Sequence, residues 1–233
     1  MKPLIIFKVG STFEGLSQNM GDFEDWIIRG LDSESDSIEI IDPRQNEALP
    51  EPDSLSGAII TGSHSMVSDR ESWSESLAAW IVKAAAIDLP LLGICYGHQL
   101  IAHALGGLVD YHPRGLEIGT VDINLTDQAE NDALFHGLPK CFQAHATHRQ
   151  TVIRLPENAV LLARNDFEPH HAFRFGQSTW GLQFHPEFNV PSMKCYIKQR
   201  CENDLRTAEL LDQVNETPES SELLRKFSRL VLA

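Results

Sequence analysis

Cys95 stands in Leu91-Leu92-Gly93-Ile94-Cys95-Tyr96-Gly97-His98-Gln99-Leu100, a Gly-x-Cys-x-Gly pattern behind an apolar run and ahead of a helical stretch. A thiol raised on a sharp strand-to-helix turn needs small residues two positions away on either side, because the chain doubles back there. A helix start also favours an anionic side chain, so a cysteine so placed is suited to attack a carbonyl carbon as thiolate. The same pattern fits a cysteine buried in a glycine-flanked turn that does no chemistry. A second group, Trp180-Gly181-Leu182-Gln183-Phe184-His185-Pro186-Glu187-Phe188, places an imidazole and a carboxylate two residues apart. In an extended segment that spacing puts both on one face. The carboxylate can then fix the tautomer of the ring and support its charged form. Pro186 has no N–H to donate and suits the end of a strand. Alone, His-Pro-Glu is an ordinary loop tripeptide; beside a cysteine elbow it supplies a base and the acid that orients it.

Gly-Ile-Cys-Tyr-Gly-His-Gln (93–99) followed by Gln-Phe-His-Pro-Glu (183–187) resembles the triad-type class I glutamine amidotransferases. The likeness is closest to the glutaminase part of GMP synthases and to free-standing relatives that include the plant γ-glutamyl peptidases. It covers residues 1–190 as one amidotransferase domain, with 191–233 as a C-terminal helical extension. The resemblance implies an α/β fold, an open, mostly parallel flavodoxin-like sheet with flanking helices. It implies hydrolysis of a γ-glutamyl amide through a cysteine thioester, with Cys95 as nucleophile, His185 as base and acid, and Glu187 orienting it. Tyr96 matches the position whose N–H forms half of an oxyanion hole. Thr61-Gly62-Ser63-His64 matches the segment supplying the other half, with Ser63 where the family usually has a second glycine. A backbone N–H is the donor, so serine serves unless a positive φ is required. Gln99 matches a contact to the substrate's α-amino end, and Thr147-His148-Arg149-Gln150 a segment whose main chain holds the α-groups; Gly62, Gln99, His148, Arg149 and Gln150 are therefore the expected substrate contacts.

No cofactor is implied. The implied ligand is a small γ-glutamyl compound, glutamine first, and the implied partners are a separate synthase subunit or a second copy of the chain. Two other readings stay open: a free-standing γ-glutamyl peptidase acting on glutathione-like compounds, and a non-catalytic module that keeps the fold.

The elements that must position these groups can be read from the pattern. Strands are expected at Leu4–Val9, Ile38–Ile41, Gly57–Thr61 and Pro90–Ile94, with helices at Phe23–Leu31, Ser74–Ile87 and Gln99–Leu105 between or after them. Apolar runs alternating with helical stretches mark a sheet with crossover helices. Asp32–Ser37 is expected as a solvated loop. After Gly107 the texture changes to neighbouring short strands, at Gly119–Leu125, Gln143–Ile153, Val160–Arg164, Ala172–Phe175 and Trp180–Phe184, which fit an antiparallel extension of the sheet. The tail reads as two helices, Met193–Val214 and Glu222–Leu232.

Composition bounds the function classes. The chain has 233 residues, 42% hydrophobic and 22% charged, enough for a core without a staple. Its net charge of −14 repels phosphate backbones and anionic lipid, and no basic patch offsets it, so neither nucleic acid nor membrane is an expected partner. No stretch approaches the ~20 apolar residues of a bilayer span, and the N-terminal apolar run is too short for a signal peptide. Four cysteines without CxxC spacing point to the reducing cytoplasm. His170 and His171 are adjacent and point apart in a strand, a poor ligand pair, so no metal is expected. Cys195 and Cys201 read as packing residues, Trp73 and Trp80 as core or cap. There is no P-loop, which argues against ATP use.

Overall fold

The structure, a computed structural model, describes residues 2–32, 38–45, 47–202 and 205–232. In chain order its strands are β1 (Leu4–Phe7), β2 (Ile38–Ile41), β3 (Gly57–Ile60), β4 (Leu91–Ile94), β5 (Leu108–Tyr111), β6 (Glu117–Leu125), β7 (Cys141–His148), β8 (Gln150–Arg154), β9 (Val160–Arg164), β10 (Ala172–Phe175) and β11 (Thr179–Leu182). The helices are α1 (Glu14–Met20), α2 (Phe23–Leu31), α3 (Ser72–Ala86), α4 (Tyr96–Ala104), α5 (Val190–Arg200), α6 (Leu205–Asp212) and α7 (Pro218–Val231). Nine strands make one sheet in the order β2-β1-β3-β4-β11-β10-β9-β6-β7, and β5 pairs with β8 apart from it. From β2 to β11 every pairing is parallel; from β11 outward every pairing is antiparallel. The expected parallel sheet with an antiparallel extension is the fold observed.

Alternation decides the layers. In β1, Leu4 and Ile6 pack on one face with Ile27 of α2 and Leu223, Leu224 and Phe227 of α7. Ile5 and Phe7 pack on the other with Leu77, Trp80 and Ile81 of α3 and Leu100 and Ile101 of α4. A strand buried on both faces must be apolar throughout, which is why β1, β3 and β4 read as unbroken hydrophobic runs. A third cluster, Leu16, Phe23, Trp26, Phe188, Met193, Tyr196 and Ile197, joins α1, α2 and α5 above the sheet, with Cys195 and Cys201 packed against it.

The helix starts are chemically specified. Asp22 and Asp25 form a capping box on α2, and Asn189 and Ser192 form one on α5. These caps set where Phe23 and Tyr196 enter the third cluster.

Several expectations change. Gln143–Ile153 is not one strand: it breaks at Arg149 into β7, at the edge of the main sheet, and β8, which pairs with β5. α1 and β5 carry no strong local signal and were not anticipated. Met193–Val214 is not one helix, since α5 stops at Arg200 and α6 begins at Leu205. α7 begins at Pro218, four residues before the expected start, because proline is well suited to a first helical turn. Of the expected loop Asp32–Ser37, Asp32 caps α2 in the left-handed region, and residues 33–37 lie outside the described residues.

Candidate active site

β3, β4 and β11 run side by side and parallel, with Ile60 level with Gly93 and Leu182 level with Ile94, so the chain leaves all three at one end of the sheet. Cys95 is the first residue beyond β4. Its backbone has φ 51° and ψ −97°, outside the left-handed helical well, a conformation that costs roughly 1–3 kcal/mol and is held by its surroundings. The Cys95 N–H donates to the carbonyl of Leu182 at 2.7 Å. The flanking glycines are needed for close approach: a Cβ on Gly93 would lie 2.4 Å from the carbonyl carbon of Gly97, and a Cβ on Gly97 would lie 2.5 Å from the carbonyl oxygen of Ile60. α4 starts at Tyr96, immediately after the elbow rather than at Gln99, so the thiol sits at the helix N-terminus.

His185 follows β11. Its N–H donates to the carbonyl of His145 on β7 at 2.8 Å, which ties the residue to the antiparallel half of the sheet. Its Nδ1 is 2.7 Å from Glu187 Oε1, and both side chains are buried. The pair meets within a turn rather than along a strand, with the N–H of Phe188 reaching back to the His185 carbonyl. The ring is boxed by Phe188, at 4.2 Å between centroids, and by Phe23, at 6.3 Å. A Cβ on Gly62 would fall 3.1 Å from His185 Cε1 and 3.8 Å from Cys95 Cβ, so Gly62, Cys95 and His185 share one spot. His185 Nε2 is buried and has no nitrogen or oxygen partner among the described residues.

Burial is the largest single influence on His185 and acts against its charged form. The Glu187 carboxylate and the Cys95 sulfur outweigh it and raise the pKa to about 10. Neighbouring His145 is driven the other way, to about 4, first by burial and then by the His185 charge. His145 is therefore neutral at pH 7 while His185 holds its proton.

A cleft with about 520 Å³ of empty space opens over these groups. Of the anticipated residues, Ser63, Cys95, Tyr96, Gln99, His148, Arg149, Gln150 and His185 line it; Glu187 stands behind His185. Ser63 has no positive φ, so serine carries no backbone penalty there. Gln99 Nε2 donates to the Gln150 carbonyl at 2.8 Å and to Gln183 Oε1 at 2.9 Å, so both its donors are spent inside the protein. His148 is held by Glu117 Oε2 at 2.8 Å and by the Gln150 carbonyl at 3.0 Å, which fixes the main chain of 147–150 against the cleft.

Phe23, Leu116, Tyr196 and Arg200 also line the cleft and carry no motif that marks them, and His64, the last residue of the Thr61–His64 segment, lines it too. Tyr196 hydroxyl lies 3.1 Å from His64 Nε2 and 3.0 Å from Thr12 Oγ1. Burial and then the Arg200 charge lower His64 to about 4.

The family model described as glutamine amidotransferase class-I matches residues 17–201. The chain belongs to that family. Among its relatives, Gamma-glutamyl peptidase 5 of Arabidopsis thaliana is 30% identical over 75% of the chain and 70% of its own length. A glutamine-hydrolyzing GMP synthase subunit of Methanopyrus kandleri is 32% identical over 72% of the chain and 86% of its own length. Of the longer GMP synthases it matches, the chain spans only 19% to 26%. Its fold is that of a glutamine amidotransferase from Methylobacillus flagellatus, with a TM-score of 0.79 at 22% identity over 100% of this chain and 94% of the other. Among the described residues, no group of side chains is arranged to hold a metal ion, and no helix is long and apolar enough to cross a membrane.

Proposed function

We propose that this amidotransferase hydrolyses a γ-glutamyl amide bond through a thioester on Cys95, with His185 and Glu187 completing a triad. The observation that carries the reading is the buried His185–Glu187 pair at 2.7 Å, its other ring nitrogen unpartnered beside the Cys95 thiol at the base of the cleft.

In this reading the Cys95 thiolate attacks the γ-carbonyl carbon. The oxyanion that forms is met by the N–H of Tyr96, the first residue of α4 and so without an intrahelical acceptor, and by the N–H of Ser63. The C–N bond breaks as the His185 imidazolium gives its proton to the leaving nitrogen. Water then attacks the thioester, His185 takes a proton from it, and glutamate leaves as the thiolate reforms. Gly62 leaves the room that lets the His185 ring approach Cys95, while the main chain of 148–150 holds the glutamyl α-groups and Gln99, its donors spent on Gln150 and Gln183, accepts from the α-amino group through Oε1.

Glutamine and larger γ-glutamyl amides share this chemistry. A synthase that takes up ammonia is the partner the glutamine form requires, and the name of the Methanopyrus relative is consistent with it. The test is a product assay on the purified protein alone with glutamine and a panel of γ-glutamyl amides, reading ammonia or amine release. Turnover that requires Cys95 supports the proposal; absence of turnover and of a covalent adduct on Cys95 with every compound overturns it.

A further inference from the structure

The segment that leaves β3, Thr61-Gly62-Ser63-His64, is held from behind by the chain that leaves β1. Thr61 Oγ1 accepts from the Val9 N–H at 3.1 Å, and the Thr61 N–H donates to the Phe7 carbonyl at 3.1 Å. A Cβ on Gly10 would lie 2.5 Å from Ser63 Cα, so the two backbones touch with no room for a side chain. Ser63 Oγ accepts from the Ser65 N–H at 3.1 Å, which engages that side chain within its own loop.

Towards the cleft the segment is held through His64. Its Nε2 lies 3.1 Å from the Tyr196 hydroxyl, across 132 residues of chain, and that hydroxyl lies 3.0 Å from Thr12 Oγ1. Thr12 in turn donates its N–H to Asp22 Oδ1 at 2.7 Å, and Asp22 caps α2. Phe13 packs on both rings, 4.8 Å from His64 and 4.9 Å from Tyr196 between centroids. Tyr196 is 1% exposed, and burial of a phenol is costly unless its hydroxyl is satisfied. Ser63, His64 and Tyr196 all line the cleft over Cys95.

Neither ring is charged at pH 7. His64 is held at about 4 by burial and then by the Arg200 charge, and burial holds the Tyr196 phenol well above its ordinary range. The bond therefore adds no second cation beside the His185 imidazolium. What it contributes is position.

We infer that Tyr196 and His64 are positioning residues, whose hydrogen bond ties α5 to the segment after β3 and holds the Ser63 N–H where the oxyanion forms. The inference rests on the hydrolase reading, in which that N–H is one of two oxyanion donors. A donor so placed acts on charge that develops only as the carbonyl becomes tetrahedral. The main chain of 148–150, which meets the bound glutamyl group, is left alone, so the bond should matter to kcat and not to KM.

Tyr196→Phe keeps the ring in its cluster and removes the bond. With the best substrate of the product assay it should lower kcat by about tenfold to a hundredfold, part of what outright loss of an oxyanion donor costs, and leave KM within about twofold. His64→Leu should do the same, and the double variant should be no slower than the slower single one. His64→Gln, whose amide can still reach the hydroxyl, should recover most of kcat. Nuclear magnetic relaxation without substrate reads the tether directly. The order parameter of the Ser63 N–H, about 0.85 for rigid backbone, should fall towards about 0.6 in Tyr196→Phe and stay high in His64→Gln. An unchanged order parameter in Tyr196→Phe overturns the tether whatever the turnover. A looser Ser63 with kcat unchanged, losses that add in the double variant, or a rise in KM alone overturns the positioning role, the last making these rings substrate contacts. If the wild-type protein turns over no compound and forms no adduct on Cys95, it is the hydrolase reading that fails, and the catalytic role of the bond falls with it even where Ser63 loosens.

Discussion

The backbone N–H of Cys95 donates to the carbonyl oxygen of Leu182 at 2.7 Å. This one bond joins the end of β4 to the end of β11, residues 87 apart in the chain by their numbers. It sets the distance over which the elbow thiol and the imidazole three residues past Leu182 can meet. The proximity of Cys95 to His185 is thus a property of sheet register, and in the proposed reaction its disturbance should be felt in rate before it is felt in fold.

Cys95→Ser should abolish γ-glutamyl hydrolysis, by more than about a thousandfold, while leaving the melting temperature unchanged. The hydroxyl is close in size but is a far weaker acid and nucleophile than a thiol. Retained turnover in a variant with an unchanged melt would falsify the nucleophile assignment.

His185→Ala should lose nearly all activity and Glu187→Gln less, because a neutral amide still orients the ring. The pH response carries a sign. The folded-state pKa of His185, about 10, lies above the ordinary 6.5. Its proton therefore stabilises the fold fully below about 6.5, and that contribution is lost as pH rises through about 10. Glu187→Gln should move the loss toward neutral pH, as read by melting curves or by the ring resonances of His185. Identical titration in the variant would make Glu187 a bystander.

Glu117 is buried between His148 and His171, at 2.8 and 3.3 Å. Burial, the largest influence, pushes its pKa up, but the hydrogen bond from His148 and the close ion-pair contact of His171 prevail and hold it well below the usual carboxylate range. Its contribution to stability is present above about 4.5 and lost as pH falls through the depressed value. Glu117→Gln should lower the melting temperature at pH 7 and raise KM, because the segment 147–150 lines the cleft. The stability gap to wild type should narrow below pH 4.5; a gap independent of pH would show that the charge is not involved.

Gly97→Ala should destabilise the protein by about 1–3 kcal/mol and reduce kcat, since the added methyl meets the Ile60 carbonyl at 2.5 Å and must push α4 off β3. Denaturant melts and initial rates check both effects. A variant with wild-type stability and rate would mean that the elbow relaxes more freely than the packing suggests.

Phe227→Ala should cost about 3–5 kcal/mol, because the ring is fully buried in the cluster that includes Leu4, Ile6 and Trp180. Deleting residues 216–233 should be still more damaging to the isolated protein. An unchanged melt on deletion, with loss of a co-purifying partner or of dimer mass, would instead make α7 a docking element.

The elbow at Cys95 and the pairing of His185 with Glu187 were legible because their signals are local. The elbow demands Gly93 and Gly97 on steric grounds, and a two-residue spacing brings an imidazole and a carboxylate together whether the segment is a strand or, as here, a turn. The parallel strands were legible for the same reason, since a strand covered on both faces has no place for polar residues. Phe23, Tyr196 and Arg200 were not. An aromatic on an amphipathic helix looks the same whether it faces a core or a cleft, and an arginine at a helix end looks like solvent-facing charge.

The break at Arg149 shows where local information stops. Gln143 to Ile153 has the composition of one strand, but β6 claims its first part and β5 its last, so partners remote in sequence divide it. The amino-acid sequence alone determined the glycine-flanked turn at Cys95, the His185–Glu187 pairing, the alternation of strands with helices and the apolar stripes, all of which depend on neighbours within a few residues. Only the tertiary structure decided which strands lie side by side, that His185 hangs from His145, and that α5 brings Tyr196 and Arg200 to the cleft. Those depend on register and packing between segments far apart in the chain, where the free energy belongs to the pair and neither member alone records it.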